Sequence, residues 1–503
     1  MTSNYITMRL FRLIFIGLIC NLMSGQTLQQ NLQTIFSNNQ LMGMSVYVFS
    51  SETESVYNFG YKNFNQNLVI DNDTKYRIAS ISKSFTALGL MKLYDQNLFE
   101  LDDDISTYLG YTVRNPNHPS VPITFRMLLS HTSSLQDGTG YTTFLNATYS
   151  QNPIPNMSLV LQPGGSFYTA NMWRSEIPGS YFTYSNLNFG LIGTLIEKIS
   201  NQRFDIFMKN EILIPLGIDG SYNIQDLSNI TDVATIYRKI SNVWTPQFDN
   251  YNGVMPSPPN LSNYVIGTNG AYFSPQGGLR ASVTDVSKLL KFIKSNGETA
   301  SGLISQASIQ TMKTIQWNDN GTNGDDYYGL FNKWSLGLHY ANTNSDDFIC
   351  NPSTFGNFIG HTGEAYGLIS DAFFSENNDK GFVFITNGSW NGYTTNTTSF
   401  YTIEDQVFNA LCMYFNQSLS ESEFEEDSTI VYPNPTKETI SLRFQNIPKK
   451  IELYDSVGKV LKSQTELSSL QLELNMENYP LGIYFLTIYE IDDVSSTKKI
   501  IKH

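Results

Sequence analysis

Ser80-Ile81-Ser82-Lys83 places a serine and a lysine three positions apart, at the start of a segment with helical periodicity. On a helix the positions i and i+3 share one face, so the Ser80 hydroxyl and the Lys83 amine can touch. A serine alcohol is a weak nucleophile until a base removes its proton, and a lysine buried in a cleft can act as that base. The pair therefore predicts nucleophilic catalysis. The same spacing recurs at Ser456 and Lys459, so the pair alone is a weak signal.

Tyr184-Ser185-Asn186 lies directly before a second helical segment. A phenol near an ammonium group can shuttle a proton, and an asparagine amide can orient both a lysine and a substrate carbonyl. Tyr-x-Asn also occurs at Tyr61, Tyr340 and Tyr414, so its position along the chain carries the inference.

His361-Thr362-Gly363 precedes an apolar segment that begins at Ala365. An imidazole and a hydroxyl could hold a substrate carboxylate or carbonyl, and Gly363 permits close backbone approach. Taken alone, His361 is better explained as a histidine of a surface loop.

The ordered set of motifs resembles the serine β-lactamase and penicillin-binding-protein-like superfamily, in its class C branch. Its supporting blocks are Tyr76 to Ala87, Leu101 to Asp104, Ile123 to Ser133 and Gly277 to Asp285, and the resemblance spans about residues 30 to 415. A motif set in its expected order and context is far more specific than any single motif.

The resemblance implies an acyl-enzyme mechanism. Ser80 is the expected nucleophile, and Lys83 and Tyr184 share the roles of base and acid. Asn186 supports Lys83 and the substrate amide. The backbone N–H groups of Ser80 and Glu364 form the expected oxyanion hole, and His361, Thr362 and Gly363 complete the expected substrate-binding set.

Two positions depart from the family pattern. His361 stands where members that destroy β-lactams most often carry lysine, so the motif is more similar to that of esterases, D-amino-acid peptidases and carboxypeptidases of the group. Ser134 stands where the block usually ends in glycine, which puts the local turn in doubt. His131 is interpreted as a structural residue at a helix end.

The predicted fold around these motifs is of the mixed α/β (α+β) class. Helical spacing covers Ser84 to Asn97 and Leu187 to Ile199. Strands are predicted at Val46 to Phe49, Ala365 to Phe374 and Gly381 to Thr386, with a hairpin turn over Glu376 to Lys380. We expect a β-lactamase/transpeptidase-like antiparallel sheet from both chain ends, flanked by helices, with an all-helical region inserted.

The 503 residues carry 31 basic and 45 acidic side chains, a net charge of −14. An acidic chain without a basic block repels phosphate backbones, which excludes nucleic acid as an expected partner. The five histidines show no ligand spacing with cysteine or aspartate, so neither a metal nor another cofactor is predicted.

Residues 1–25 have the pattern of a secretory signal peptide, with Arg9 and Arg12 before an apolar run from Leu13 to Met23. The run is about half the ~20 residues of a spanning helix, so no stable membrane span is expected. Signal removal leaves Cys350 and Cys412 as the remaining cysteines. They could pair in an oxidising compartment, but two separate buried thiols are slightly favoured.

The remaining chain divides into a hydrolase domain at 26–417, an acidic linker at 418–429 and a strand-rich tail at 430–503. The linker carries five acidic residues and no basic ones, so we expect it to be solvated. Short alternating segments in the tail predict a small β-sandwich. Val431 to Thr436, Ile451 to Lys459 and Leu481 to Ile488 are similar to the C-terminal sorting domain of the type IX secretion system.

That resemblance implies export through the periplasm to the cell surface or the medium, with the outer-membrane secretion machinery as partner. The sequence as a whole predicts a secreted serine hydrolase that acts on a small-molecule or peptide substrate, an ester or a D-amino-acid amide. The alternatives are a class C-like β-lactamase and a catalytically silent surface binding protein on the same fold.

Overall fold

The computed structural model describes residues 27–389, 394–395, 397–422, 429–444, 447–456, 458–465, 467–489 and 495–503. The predicted signal peptide at 1–25 lies outside these residues. The chain divides into two units, Met1–Tyr414 and Phe415–His503.

Fourteen short or medium strands belong to the described part of the first unit. They are β1 (Gly43–Phe49), β2 (Glu54–Asn63), β3 (Leu68–Val69), β4 (Tyr76–Arg77), β5 (Ile236–Ile240), β6 (Val243–Phe248), β7 (Arg280–Ala281), β8 (Trp317–Asn318), β9 (Lys333–Trp334), β10 (His339–Ala341), β11 (Phe358–Ala365), β12 (Leu368–Ser375), β13 (Gly381–Thr386) and β14 (Gly388–Ser389).

The α-helices lie mainly between β4 and β8. They are α1 (Leu28–Asn38), α2 (Ser82–Asp95), α3 (Ile105–Leu109), α4 (Phe125–Leu129), α5 (Thr139–Ser150), α6 (Ser158–Leu161), α7 (Asn186–Ser200), α8 (Phe204–Met208), α9 (Val283–Lys294), α10 (Gln306–Lys313), α11 (Pro352–Phe355) and α12 (Thr402–Ser422).

The main sheet has nine antiparallel strands in the order β3-β2-β1-β13-β12-β11-β10-β9-β8. β1 pairs with β13, with Met44 opposite Thr386 and Phe49 opposite Gly381. Strands from the beginning and from the end of the unit are therefore neighbours inside the sheet. The prediction of one sheet built from both chain ends around a helical insertion is confirmed. A side sheet, β14-β5-β6, and the β4-β7 pair complete the unit.

Two helices form the interior of the helical region. Most of the length of α2 is buried, and α7 is buried from Leu187 to Glu197. Both begin within two residues of the predicted positions. Their apolar side chains join one continuous core with residues of the main sheet, such as Val383 and Ile385. Burial of this kind supplies most of the stability of short helices, because isolated helices are marginal in water.

The strand around the third motif differs from the prediction. His361, Thr362 and Gly363 lie inside β11, opposite Ala372, Asp371 and Ser370 of β12, and the hairpin turn falls at Tyr366-Gly367. The predicted strand from Ala365 to Phe374 is present as β12, but it begins three residues later than predicted, and β11 was not predicted. Two glycines in the Gly360 to Gly363 segment lower its β-propensity and conceal a strand that its neighbours stabilise.

Cys350 and Cys412 form a disulfide, with 5.6 Å between their Cα atoms. The prediction of two separate thiols was therefore wrong. The fold brings the loop before α11 against α12, a juxtaposition of residues 62 positions apart that local sequence does not encode.

α12 continues to Ser422, so the helix covers the first five residues of the predicted acidic linker. Extending an existing helix fixes one residue per new hydrogen bond, which is why a polar segment can continue it. Residues 423–428 of the linker lie outside the described residues.

The second unit contains two antiparallel sheets, β15-β16-β19 and β18-β17-β20-β21. The strands are β15 (Ile430–Tyr432), β16 (Thr439–Arg443), β17 (Lys450–Tyr454), β18 (Val460–Thr465), β19 (Gln471–Asn475), β20 (Gly482–Tyr489) and β21 (Ser495–Lys502). Alternate residues of both sheets, among them Ile440, Leu442, Ile451 and Leu486, bury into one core. This is the predicted small β-sandwich.

Candidate active site

Ser80 lies in a 3-10 turn, Ala79–Ile81, that leads into α2. The preceding Ala79 has φ +47°, a left-handed conformation that is uncommon for a residue with a side chain. The turn continues directly into α2, which carries Lys83, and Lys83 Nζ lies 2.9 Å from Ser80 Oγ. The predicted serine-lysine contact is present.

Lys83 is completely buried and makes two further hydrogen bonds. Its Nζ donates to Asn186 Oδ1 at 2.8 Å and to the Gln276 carbonyl at 2.8 Å. Burial lowers the pKa of Lys83 to about 7, although the more distant Asp137 carboxylate raises it in part. Both partners accept only, so a neutral Lys83 gives them its two N–H groups and keeps its lone pair for the Ser80 hydroxyl.

Tyr184 covers the other side of this pair. The Lys83 ammonium lies 4.7 Å from the centre of the Tyr184 ring. Burial raises the pKa of Tyr184 well above its ordinary value, and a hydrogen bond with the Ser80 side chain offsets this only in part. Tyr184 therefore remains protonated near neutral pH, and Lys83 is the group of the two that can accept a proton.

Asp137 organises the start of α7. One carboxylate accepts from Ser185 Oγ at 2.9 Å, from the Asn186 backbone at 3.0 Å and side chain at 2.7 Å, and from the Leu187 N–H at 3.0 Å. A carboxylate at a helix N-terminus satisfies otherwise unpaired N–H groups. The Asn186 side chain is thereby fixed with its oxygen toward Lys83.

His361 does not reach the cleft wall. It is almost fully buried, and its ring packs against Tyr184 and Trp334 with centroid separations of 6.1 and 5.2 Å. Burial lowers the pKa of His361 well below its ordinary value, so the side chain is uncharged. The interpretation as a surface-loop histidine was wrong, because the histidine points into the core from inside β11.

Gly363 brings β11 against the serine turn. A Cβ atom at this position would lie 3.0 Å from the Ser80 backbone nitrogen and 3.1 Å from the Ile78 carbonyl oxygen, tighter than normal packing. Glycine therefore allows the strand, rather than a ligand, to approach. The next residue, Glu364, has an exposed side chain that accepts from the Tyr401 hydroxyl at 3.2 Å.

Thr362 contacts a pair of buried carboxyl groups. Its Oγ1 donates to Glu404 Oε1 at 3.2 Å, and Asp371 lies opposite it in β12. Burial raises the pKa of Asp371 to about 7, and burial together with the neighbouring Asp371 raises that of Glu404. Glu404 of this buried pair thus holds the Thr362 side chain through its hydrogen bond.

A cleft of about 900 Å³ opens in front of Ser80. Ser80, Asn186 and Glu364 line it, together with a largely aromatic wall that includes Tyr141, Tyr149, Phe248, Tyr272 and Tyr366. This volume accommodates a small-molecule or short peptide substrate. Lys83 and Tyr184 contact Ser80 but do not line this cleft.

Sequence models of two families match the chain. The model described as Beta-lactamase matches residues 26–395. The chain belongs to this family. The model described as Secretion system C-terminal sorting domain matches residues 430–503. That domain engages the type IX secretion machinery, which delivers the protein to the cell surface or extracellular space. Among the described residues no helix is long and apolar enough to cross a membrane.

Protein flp of Staphylococcus aureus (strain MRSA252) is 28% identical over 158 residues, which make up 31% of this chain and 30% of that protein. The matched region thus spans less than a third of this curated relative. The octameric penicillin-binding protein homologue from Pyrococcus abyssi has a TM-score of 0.57 at 19% identity, covering 95% of this chain and 96% of that chain.

D-amino acid amidase from Ochrobactrum anthropi SV3 has a TM-score of 0.55 at 21% identity, covering 78% of this chain and 99% of that chain. At such identities the likeness establishes the fold, which confirms the predicted β-lactamase-like architecture.

Asp137 was not predicted from the sequence, whereas His131 and Ser134 were singled out there. Asp137 lies 48 positions before Ser185, and no local pattern connects the two. His131 takes the expected structural place at the end of α4, where its Nδ1 accepts from the Ser185 N–H at 3.2 Å. Ser134 keeps the turn that glycine usually forms, with φ +65°.

Proposed function

We propose that this member of the Beta-lactamase family is an exported serine hydrolase that works through an acyl-enzyme on Ser80. The observation that carries the proposal is the 2.9 Å contact between Ser80 Oγ and Lys83 Nζ, with Lys83 buried and its pKa lowered to about 7. A base with a pKa near the working pH is suited to proton abstraction.

In the acylation step Lys83 takes the Ser80 proton while Oγ forms a bond to the substrate carbonyl carbon. Backbone N–H groups of Ser80 and Glu364 are the proposed donors to the oxyanion, and each such donor is typically worth about 3 kcal/mol. As the bond to the leaving group breaks, Tyr184 gives it a proton and recovers one from Lys83. Water then releases the acyl group by the same steps in reverse.

Esters and D-amino-acid amides or peptides are the proposed substrates. His361 is uncharged and buried, so the position at which the family's β-lactam-destroying members most often carry lysine offers no fixed cation here. The fold shared with a D-amino acid amidase agrees with amide chemistry. We also propose the boundaries 26–417, 418–429 and 430–503, with removal of the signal peptide and of the tail during export.

Covalent labelling tests the proposal. The full chain is treated with a fluorophosphonate and with fluorescent penicillin, and Ser80→Ala is compared with Ser456→Ala, which removes the serine of the same Ser-x-x-Lys spacing in the tail. We expect fluorophosphonate labelling of wild type and Ser456→Ala only.

The outcomes separate the candidate functions. If both variants keep the label, or if no adduct forms at all, the hydrolase proposal is contradicted and a silent binding protein is favoured. Rapid Ser80-dependent turnover of penicillin favours the β-lactamase alternative, and a slowly released penicillin adduct favours a peptidase over an esterase.

A further inference from the structure

The hairpin turn between β11 and β12 contains a residue that turn geometry does not favour. Ala365 pairs with Leu368, so Tyr366 and Gly367 form a two-residue loop, with φ +58° and +115°. Gly367 is required, because a Cβ atom there would lie 2.2 Å from the Tyr237 carbonyl oxygen. At the first position such turns prefer Asn, Asp or Gly, and a tyrosine there is strained.

The Tyr366 ring is held in the cleft by a second aromatic ring. Tyr366 is 44% exposed and Phe248 is 40% exposed, yet their ring centroids are only 4.1 Å apart. The Arg77 guanidinium lies 5.4 Å from the centre of the Phe248 ring. Arg77 in turn donates to the buried Asp249 carboxylate at 3.2 and 3.3 Å. The aromatic pair is therefore fixed before any ligand arrives.

The pair lies on the acyl side of the proposed reaction. Tyr366 follows Glu364, the proposed oxyanion donor, by two residues, and both rings line the cleft that Ser80 faces. In the proposed mechanism the leaving group receives its proton from Tyr184, which packs against Tyr327 and Phe331, and none of these three residues lines the cleft. A substrate placed for attack thus directs its leaving group toward Tyr184 and its acyl group into the cleft.

We propose that Tyr366 and Phe248 bind an aryl group on the acyl part of the substrate, and so determine specificity. Offset stacking on a preorganised pair favours planar apolar groups, because both rings keep their mutual contact while they offer free faces and edges. The strained turn presents the Tyr366 ring to the cleft. This inference rests on the proposed function and adds the class of acyl group.

Two p-nitrophenyl esters with one leaving group test the inference, p-nitrophenyl acetate and p-nitrophenyl phenylacetate. Tyr366→Asn supplies a residue that the turn prefers, so the variant should fold with an unchanged or higher Tm. We expect kcat/KM for the phenylacetate to fall about tenfold while that for the acetate stays within about twofold, since one aromatic contact is worth about one order of magnitude. Tyr366→Phe should retain the wild-type ratio of kcat/KM for the phenylacetate to kcat/KM for the acetate.

Tyr328→Asn is the matched control, because Tyr328 is also a left-handed tyrosine, with φ +62° and 95% exposure, and does not line the cleft. It should leave the ratio unchanged. An unchanged ratio in Tyr366→Asn, or an equal change in Tyr328→Asn, overturns this inference and leaves the hydrolase intact. Absence of Ser80-dependent hydrolysis of either ester by the wild type overturns both.

Discussion

Lys75 and Lys83 lie eight positions apart and are both buried, but their surroundings differ in one respect. The Lys75 amine lies 2.9 Å from the Asp285 carboxylate and 3.1 Å from that of Asp219. Among the described residues, the hydrogen-bond partners of the Lys83 amine are one hydroxyl and two neutral carbonyl oxygens. One lysine is an ion-pair partner, whereas the other is an amine held among neutral dipoles.

The difference in partners reverses the direction of the pKa shift. Burial lowers the pKa of both amines, but at Lys75 the carboxylates of Asp285 and Asp219 outweigh burial and raise it. At Lys83 burial prevails and lowers the pKa to about 7. Burial alone therefore does not make a lysine a base, because the carboxylate partner determines the result.

Replacing Lys83 should have the largest effect on activity. In Lys83→Met we expect kcat/KM of Ser80-dependent hydrolysis to fall by about 10³-fold or more, because the nucleophile loses its base. The free energy of unfolding should change by no more than about 1 kcal/mol, since no ion pair is broken. Hydrolysis assays and urea denaturation measure the two. Activity above a tenth of the wild-type value would contradict the role of Lys83.

Replacing Lys75 should give the opposite result. Lys75→Met leaves Asp285 buried with only part of its partners, so we expect a loss of about 3 kcal/mol in the free energy of unfolding. The folded fraction should keep kcat/KM within about threefold, because the ion-pair partners of Lys75 are Asp219 and Asp285 rather than residues of the Ser80 site. A stability loss below about 1 kcal/mol would show that the ion pair is not structural.

Lowering the pH should change the charge of Lys83 but not that of Lys75 in the wild type. As pH falls below 7, Lys83 takes up a proton and kcat/KM should fall about tenfold per pH unit. Lys75, with its raised pKa, stays charged, and its stabilisation is lost only as pH rises through that value. For Lys83 the unfolded chain binds the extra proton between about pH 7 and 10.4, so its contribution to stability rises with pH there. A flat rate profile from pH 5 to 8 contradicts this account.

Replacing Asp137 should give the smallest shift, and it is measured in the pH midpoint rather than in the rate, because the carboxylate also holds Asn186. Its carboxylate raises the pKa of Lys83, so Asp137→Asn should move the acidic limb of the kcat/KM profile to lower pH, by no more than about one unit because Asp137 is exposed to solvent. Asp102→Asn, which removes a surface partner of Arg126, should leave the midpoint in place. A shift toward higher pH in Asp137→Asn would contradict the electrostatic argument.

The sequence predicts the parts of this site that are local. A three-residue spacing brings Ser80 and Lys83 together in any helical turn, and the helical periodicity locates α2 and α7 within two residues. The meeting of Tyr184 with these residues follows only from the family resemblance, because it joins segments about 100 positions apart.

The rest depends on contacts between distant segments. Whether His361 is charged depends on burial against Tyr184 and Trp334. Lys83 titrates near neutrality because, among the described residues, no carboxylate lies directly beside its amine. The residues around the amine come from three separate segments, so no local pattern predicts this. The Cys350–Cys412 disulfide likewise follows from how α12 packs, and no spacing rule encodes it.

The titration of Lys83 tests the central claim most directly. The full chain, labelled with ¹³C at lysine Cε, is titrated from pH 5 to 9 and followed by NMR. The variants Lys83→Met and Lys75→Met are used to assign the two lysine resonances. We expect one lysine resonance with a midpoint near pH 7, absent from Lys83→Met and retained in Lys75→Met. Its midpoint should match that of the pH profile of kcat/KM. A Lys83 side chain that remains protonated up to pH 9 would contradict the role of Lys83 as the base.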